Sequence, residues 1–243
     1  MRVDLNPPSG SKPQGRVGAI VVAAGRSQRM GGIDKIFVPL GEKPLIAHSA
    51  GTFQSTSCID QIVIVLSRRN LGVGRELAFD NWPKVSDVCL GGQRRQDSVK
   101  EGLKRLNGCH WIVIHDGARP FVTPDLVEQG LLAAQETGAA IAAVPVTDTI
   151  KQVDKDDFVQ QTPPRKLLWA AQTPQVFRSD IIRDAYARAR GGVTDDAMLV
   201  GKLGYKVKVY LGSYDNMKIT TAHDLAWAES IEAKRRTAHR HRL

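Results

Sequence analysis

The chain has 243 residues, 42% hydrophobic and 24% charged, with a formal net charge of +9. That length suffices for one large α/β domain or two small ones with a substantial core. It holds no apolar run approaching the roughly 18 residues of a transmembrane helix, and the N-terminal MRVDLNPPSGSKPQG lacks the apolar stretch of a signal peptide.

The positive charge is concentrated at the ends. Residues 234–243, KRRTAHRHRL, hold five lysines and arginines and no acid, and the first 16 residues carry an excess of two, so the body is nearly neutral. Nucleic-acid binding is therefore not expected, and the C-terminal run reads as a solvated extension. Residues 1–16, with Pro7, Pro8 and Pro13, read as a flexible leader, 17–233 as a single domain and 234–243 as a basic tail, with no second catalytic domain expected after residue 233. Cys58, Cys89 and Cys109 are odd in number and widely spaced, which argues against disulfides or a zinc site and fits a reducing cytoplasm.

In chain order, GAIVVAA (18–24) predicts a buried strand. It ends at Gly25, and Arg26, Arg29 and Lys35 follow within one loop. The loop matches neither GxxxxGK[ST] nor GxGxxG, because Ser27 stands where a second glycine would be. It reads equally as a polyphosphate loop or as an exposed basic turn. PLIAHSAGTFQS (44–55) predicts a helix and QIVIVL (61–66) a strand. LGGQRRQDSV (90–99) is a Gly-Gly turn entering a helix over 98–107, with Asp97 and Ser98 as caps; Gly91 and Gly92 could instead lie against a flat base. WIVIHD (111–116) predicts a strand that places Asp116 at its end, where a metal or a ribose commonly meets an acid. His115 reads as a structural histidine.

Thr123-Pro124-Asp125 caps a helix over 124–138, and AAIAAVPV (139–146) predicts the next strand. The alternation then breaks. Two short β-like pieces, 149–153 and 158–161, joined by the polar turn 154–157, read as a hairpin arm before the chain returns to the sheet. Helices over 179–190 and 195–203, a strand KVKVYL (206–211) and a closing helix from about Thr221 complete the order. The β-α-β-α order predicts an open, doubly wound, mostly parallel sheet with its site at the carboxyl ends of the strands.

AAGRSQRM…DK (23–35), GGQRRQDSV (91–99), HDGARP (115–120), AVPVTDTIK (143–151), QTPQVF (172–177), TDDA (194–197) and DNMKIT (215–220), taken together, resemble the 2-C-methyl-D-erythritol 4-phosphate cytidylyltransferase family from about Val17 to Ala233. The first is shared by many nucleotidyltransferases; HDGARP, VPVTDTIK and DNMKIT are more specific. The resemblance implies a Rossmann-like nucleotidyltransferase fold with a protruding β-arm, about 147–165, used in homodimerisation. It implies CTP and a polyol phosphate as substrates and Mg²⁺ or another divalent cation as cofactor.

Residue by residue, the resemblance implies that Arg29 and Lys35 hold the triphosphate and that Ala23, Ala24 and Gly25 lend backbone near the nucleotide. It implies that Gly92 and Ser98 contact cytosine, and that Asp116 sits by the ribose and the metal. Thr149, Arg165 and Lys218 are implied in binding methylerythritol phosphate, with Arg119 and Thr149 as candidates to reach it from the partner subunit. Arg29, Lys35, Arg165 and Lys218 form the implied catalytic set. The sequence departs from the family at Ser27 (usually glycine), Asp34 (usually proline), Ile36 (commonly glutamine) and Gln93 (commonly aspartate), and its loop is often one residue shorter than the family's. Two alternatives remain: a cytidylyltransferase for another polyol phosphate, such as ribitol 5-phosphate, which would share most of these motifs, or an inactive anion-binding paralogue, suggested by the altered loop.

Overall fold

The structure is a computed structural model and describes residues 14–25 and 35–240, the side chains of 238–240 excepted. Arg26, Ser27, Arg29 and Asp34 lie outside the described residues.

The apolar runs become the strands β1 (Val17–Ala23), β4 (Gln61–Leu66), β6 (Trp111–Asp116) and β7 (Ala139–Pro145). They join β5 (Val85–Leu90), β10 (Trp169–Arg178) and β11 (Lys208–Leu211) in one seven-stranded sheet, ordered β11-β7-β10-β6-β1-β4-β5. All pairings within it are parallel except those of β10, which runs antiparallel to both β6 and β7. Two short hairpins lie outside it: β2 (Pro39–Leu40) with β3 (Lys43–Pro44), and β8 (Gln152–Val153) with β9 (Val159–Gln161). The second falls within the stretch where a hairpin was expected.

Helices cover both faces, as continuous apolar strands require. Buried residues of α1 (Leu45–Ser55), α2 (Leu71–Asn81), α4 (Pro124–Thr137) and α7 (Ala222–Arg240) pack on one face, around Phe53, Phe121 and Ile62. Those of α3 (Arg95–Leu103), α5 (Ser179–Arg188) and α6 (Asp196–Lys202) pack on the other, around Ile20, Ile112 and Phe177. The alternation is visible in β1: Ala19 and Val21 face the first core and Ile20 the second.

Several boundaries differ from the expectation, for local reasons. Helix α3 starts three residues early because the Asp97 carboxylate reaches back to accept the Arg94 N–H at 3.2 Å, so Asp97 sits inside the first turn rather than at its cap. Helix α4 begins as expected, its Thr123 hydroxyl accepting the Leu126 N–H at 3.2 Å, and ends at Gly138 in the left-handed region (φ 81°). The basic C-terminal run begins inside α7: Arg235 lies 4.7 Å from the Phe121 ring centroid, and Arg236 pairs with Glu42 at 3.4 Å.

The chain order locates the crevice. After β1 the chain moves outward through β4 and β5, then crosses back through α3 to place β6 on the other side of β1. The strand order therefore reverses between β1 and β6, the topological switch point at which open α/β sheets bind ligands. Val22 of β1 stands beside Asp116 of β6 in register, so both strand ends open on that crevice.

Candidate active site

A cleft of about 300 Å³ opens at this switch point. Its walls come from the end of β1 (Ala23, Ala24, Gly25), Lys35, the turn before α3 (Gly92, Arg94) and the first turn of that helix (Arg95, Ser98), Asp116, and the segment after β11 (Lys218, Thr220). A second cleft of about 270 Å³ is lined by Arg119, Gln172, Thr173, Gln175, Thr194 and Asp195. The two share Arg95, Asp116 and Lys218, so one line of alternating charge forms a common wall.

Sequence-distant residues thus converge. Ala23, Ala24, Gly25, Lys35, Gly92, Ser98, Asp116 and Lys218 surround the first cleft, and Arg119 lines the second. Thr149 and Arg165 line neither; both are exposed, on the segments flanking the β8–β9 hairpin, and Arg165 Nη1 donates to the Thr147 carbonyl at 2.7 Å. Arg29 is outside the described residues.

The Gly-Gly turn is shaped by contact. A Cβ on Gly91 would stand 2.4 Å from Ala24 Cβ, and one on Gly92 would stand 2.3 Å from Asp97 Cβ. The buried Ser98 hydroxyl accepts the Gly92 N–H at 3.1 Å and donates to the Arg94 carbonyl at 3.2 Å, so it stitches the turn to α3. Lys35 Nζ donates to the Ile219 carbonyl at 2.8 Å, tying the loop after β1 to the segment carrying Lys218.

Asp116 is the electrostatic centre. Its Oδ1 accepts from Arg95 Nε at 2.8 Å and its Oδ2 from Lys218 Nζ at 2.6 Å. Burial alone would push this carboxyl up, but the two cations outweigh burial and hold it well below the usual carboxylate range. Arg119 is also buried, which pulls its guanidinium down from the ordinary value; its Nη1 donates to the Asn216 carbonyl at 2.6 Å, and its Nε has no partner among the described residues.

His115 lies fully buried behind this centre. Thr173 Oγ1 accepts the Asp116 N–H at 3.0 Å, so its own hydrogen is directed to His115 Nδ1 at 3.1 Å, and His115 Nε2–H donates to the Arg119 carbonyl at 3.1 Å. The ring is a neutral, oriented spacer, and burial pushes its pKa down to about 4. The folded pKa lies below the unfolded one of about 6.5. Stability is therefore full above pH 6.5 and falls as pH drops toward 4, by about 3 kcal/mol in all. Urea titrations at pH 7 and pH 4.5 should show that extra slope in the parent and lose it in His115→Gln.

Sequence reasoning passed over Arg95 and Asp196, which meet at 2.7 Å although 101 positions apart. The signals were that Arg95 belongs to the same segment as Gly92 and Ser98, and that Asp196 lies in the TDDA motif, to which no role was given. Among the described residues no group of three or more His, Cys, Asp or Glu could hold a metal ion. Asp116 is the one carboxylate among the described residues on the wall of the first cleft, and each of its oxygens already faces a cation.

A doubly wound sheet with a small-residue strand end, a packed Gly-Gly turn and a basic double cleft at the switch point is a Rossmann-like architecture, and its match to solved cytidylyltransferases gives the class, a nucleotidyltransferase. The family model for 2-C-methyl-D-erythritol 4-phosphate cytidylyltransferase matches residues 17–234, and the chain belongs to that family. The Dehalococcoides mccartyi enzyme of that name is 50% identical over 222 residues, covering 91% of this chain and 98% of the relative. The Alkaliphilus oremlandii enzyme is 41% identical over 228 residues, covering 91% and 97%. Among solved structures, 4-diphosphocytidyl-2C-methyl-D-erythritol synthase from Anaerococcus prevotii superposes with a TM-score of 0.81 at 29% identity, covering 90% of this chain and 96% of that one. The Thermus thermophilus cytidylyltransferase gives 0.71 at 30% identity, covering 88% and 98%.

Proposed function

We propose that the protein transfers CMP from CTP to 2-C-methyl-D-erythritol 4-phosphate and releases pyrophosphate, as one step of isoprenoid biosynthesis. The observation that carries this reading is the wall of Arg95, Asp116 and Lys218 shared by two clefts, one for each anionic reactant. Residues 17–233 act as one nucleotidyltransferase unit.

In this reading Ala23, Ala24 and Gly25 line the nucleotide with backbone, Gly92 and Ser98 meet cytosine, and Asp116 meets the ribose. Arg29 and Lys35 hold the triphosphate. Lys218 meets the acceptor phosphate, and Arg119, Thr149 and Arg165 complete the acceptor site. A phosphate oxygen of the acceptor attacks the α-phosphorus of CTP in line; the new O–P bond forms as the bond to the β-phosphate oxygen breaks, and pyrophosphate leaves with that electron pair. The acceptor phosphate has a second pKa of about 6 and is largely dianionic at neutral pH, so no general base is needed. The barrier is repulsion between two anions, which positioned cations offset.

Asp116 would be the protein oxygen for a hard divalent cation carried in on the nucleotide phosphates, through a lone pair that Arg95 and Lys218 leave open, since such ions bind through one or two carboxylates plus phosphates. When bound, Mg²⁺ would neutralise phosphate charge.

The protein acts as a cytoplasmic homodimer joined through the arm. Support comes from the apolar surface that the arm leaves exposed: Phe158 and Leu167 are each 70% exposed, with Val153, Val159 and Trp169 beside them. Such a dimer would bring Thr149 and Arg165 to the partner's cleft. The test is pyrophosphate release from CTP and Mg²⁺ with methylerythritol phosphate or ribitol 5-phosphate, on protein whose mass is measured in solution. Turnover with the first substrate by a species of dimer mass is expected. Turnover with ribitol 5-phosphate alone would transfer the assignment to that acceptor, and a fully active monomer would remove the dimer.

A further inference from the structure

Behind the shared wall lies a second line of groups. The Arg95 guanidinium bridges two acids, donating from Nε to Asp116 and from Nη1 to Asp196 at 2.7 Å. Asp196 has no exposed surface and accepts, on its other oxygen, the hydroxyl of the buried Tyr186. The order is therefore Tyr186–Asp196–Arg95–Asp116–Lys218, with charges alternating from Asp196 to Lys218. Arg95 Nη2 is buried without a partner among the described residues. The guanidinium is thus placed by its two acids at the expense of its own hydrogen bonding.

The support is braced from the side. Gln96, next to Arg95 on α3, accepts the Val193 N–H at 3.1 Å and donates to the Gly191 carbonyl at 3.1 Å. Gln175 of β10 donates to Asp195 at 2.9 Å and accepts the Ala197 N–H at 3.1 Å. Residues 191–197 are held from two elements, and Asp196 is held with them.

We propose that Arg95 is a positioning residue for the transfer reaction. Backed by Asp196 and Tyr186, it fixes the Asp116 carboxylate and, through it, the Lys218 ammonium at the boundary of the two clefts. The physical reason is charge sharing. With Asp196 in place, Arg95 divides its attraction between two acids, and Asp116 keeps one oxygen for Lys218. With asparagine at position 196, the guanidinium balances on Asp116 alone and competes with Lys218 for it. The loss then falls on the acceptor side, where Lys218 works, rather than on cytosine recognition at Gly92 and Ser98. The inference rests on the role of Lys218 given above.

The test is steady-state kinetics of the full chain carrying the isosteric Asp196→Asn change, with the folded fraction measured at assay temperature. The expected result is a loss in kcat/KM for the acceptor of about 10-fold or more, the size seen when outer-layer partners of a site are removed, with KM for CTP close to the parent's. Arg95→Lys keeps the charge but loses the fork, and should fall in the same parameter. Folded Asp196→Asn with parental acceptor kinetics, or with losses that only track unfolded protein, overturns the proposal. If Asp196→Asn does not fold, Tyr186→Phe decides, because it keeps the aspartate charge and removes one hydrogen bond: a smaller loss confined to the acceptor supports the proposal, and unchanged acceptor kinetics overturn it. Lys218→Ala in the same assay separates the two levels, since its full activity would remove the role of Lys218 itself.

Discussion

Lys218→Ala is expected to lower kcat by about 10²–10³-fold, the usual loss when one preorganised donor to a developing charge is removed. The Nζ group is held 2.6 Å from Asp116 Oδ2, which fixes the lysine at the wall between the clefts before any substrate arrives. An ammonium prepared in this way needs no reorganisation as the two phosphates approach. Its removal should leave the protein folded, because Asp116 keeps Arg95 at 2.8 Å and the Lys218 side chain is 38% exposed. KM for CTP should change little, since in the function proposed above the nucleotide's contacts go to Gly92 and Lys35. Single-turnover measurement of CMP transfer, beside an unfolding curve, checks both points. A variant that turns over within a few-fold of the parent would show that the lysine only solvates the wall.

Gly91→Ala is expected to be the most damaging one-carbon change, lowering kcat/KM for CTP by about 10²-fold, the penalty for a misplacement of about 1 Å near the chemistry. The added methyl would sit 2.4 Å from Ala24 Cβ and 2.7 Å from Ser98 Oγ, closer than real Cβ contacts come. Ala24 and Ser98 belong to the end of β1 and the start of α3, the two elements that frame the cleft, so the strain has to part them. Overpacking of this kind costs about 1–3 kcal/mol of stability, readable as a lower urea midpoint. Gly51→Ala is the matched control. Beyond its chain neighbours and the backbone of its own helix, no atom of the described residues stands within 4 Å of its new methyl, and alanine favours the helix it lies in. Equal nucleotide kinetics in the two variants would refute the packing argument.

Both arguments draw on features that differ in how far the sequence exposed them. The strands β1, β4, β6 and β7 were readable because parallel strands buried on both faces appear as unbroken Val and Ile runs. The segment VSDVCL, which forms β5, mixes polar and apolar residues and carries no such signal; it becomes a strand because β4 offers it an unpaired edge. Helix α2 likewise has a weak pattern, burying only Gly74 and Ala78 fully. Strand β10 contains Pro174, which argues against a central strand; the register shift between Ala171 and Gln175 absorbs it.

The site divides along the same line. Sequence alone determined the α/β class, the strand ends that carry Gly25 and Asp116, the Gly-Gly turn and the family, because each is written in a few neighbouring residues. Only the tertiary structure decided that Lys218 meets Asp116, that Arg95 bridges Asp116 and Asp196, and that Thr173 and the Arg119 carbonyl are the partners that orient the structural His115. Those contacts join residues up to 102 positions apart. Nothing local marks such pairs: a buried charge is stable only against a partner that the fold, not the chain order, brings to it.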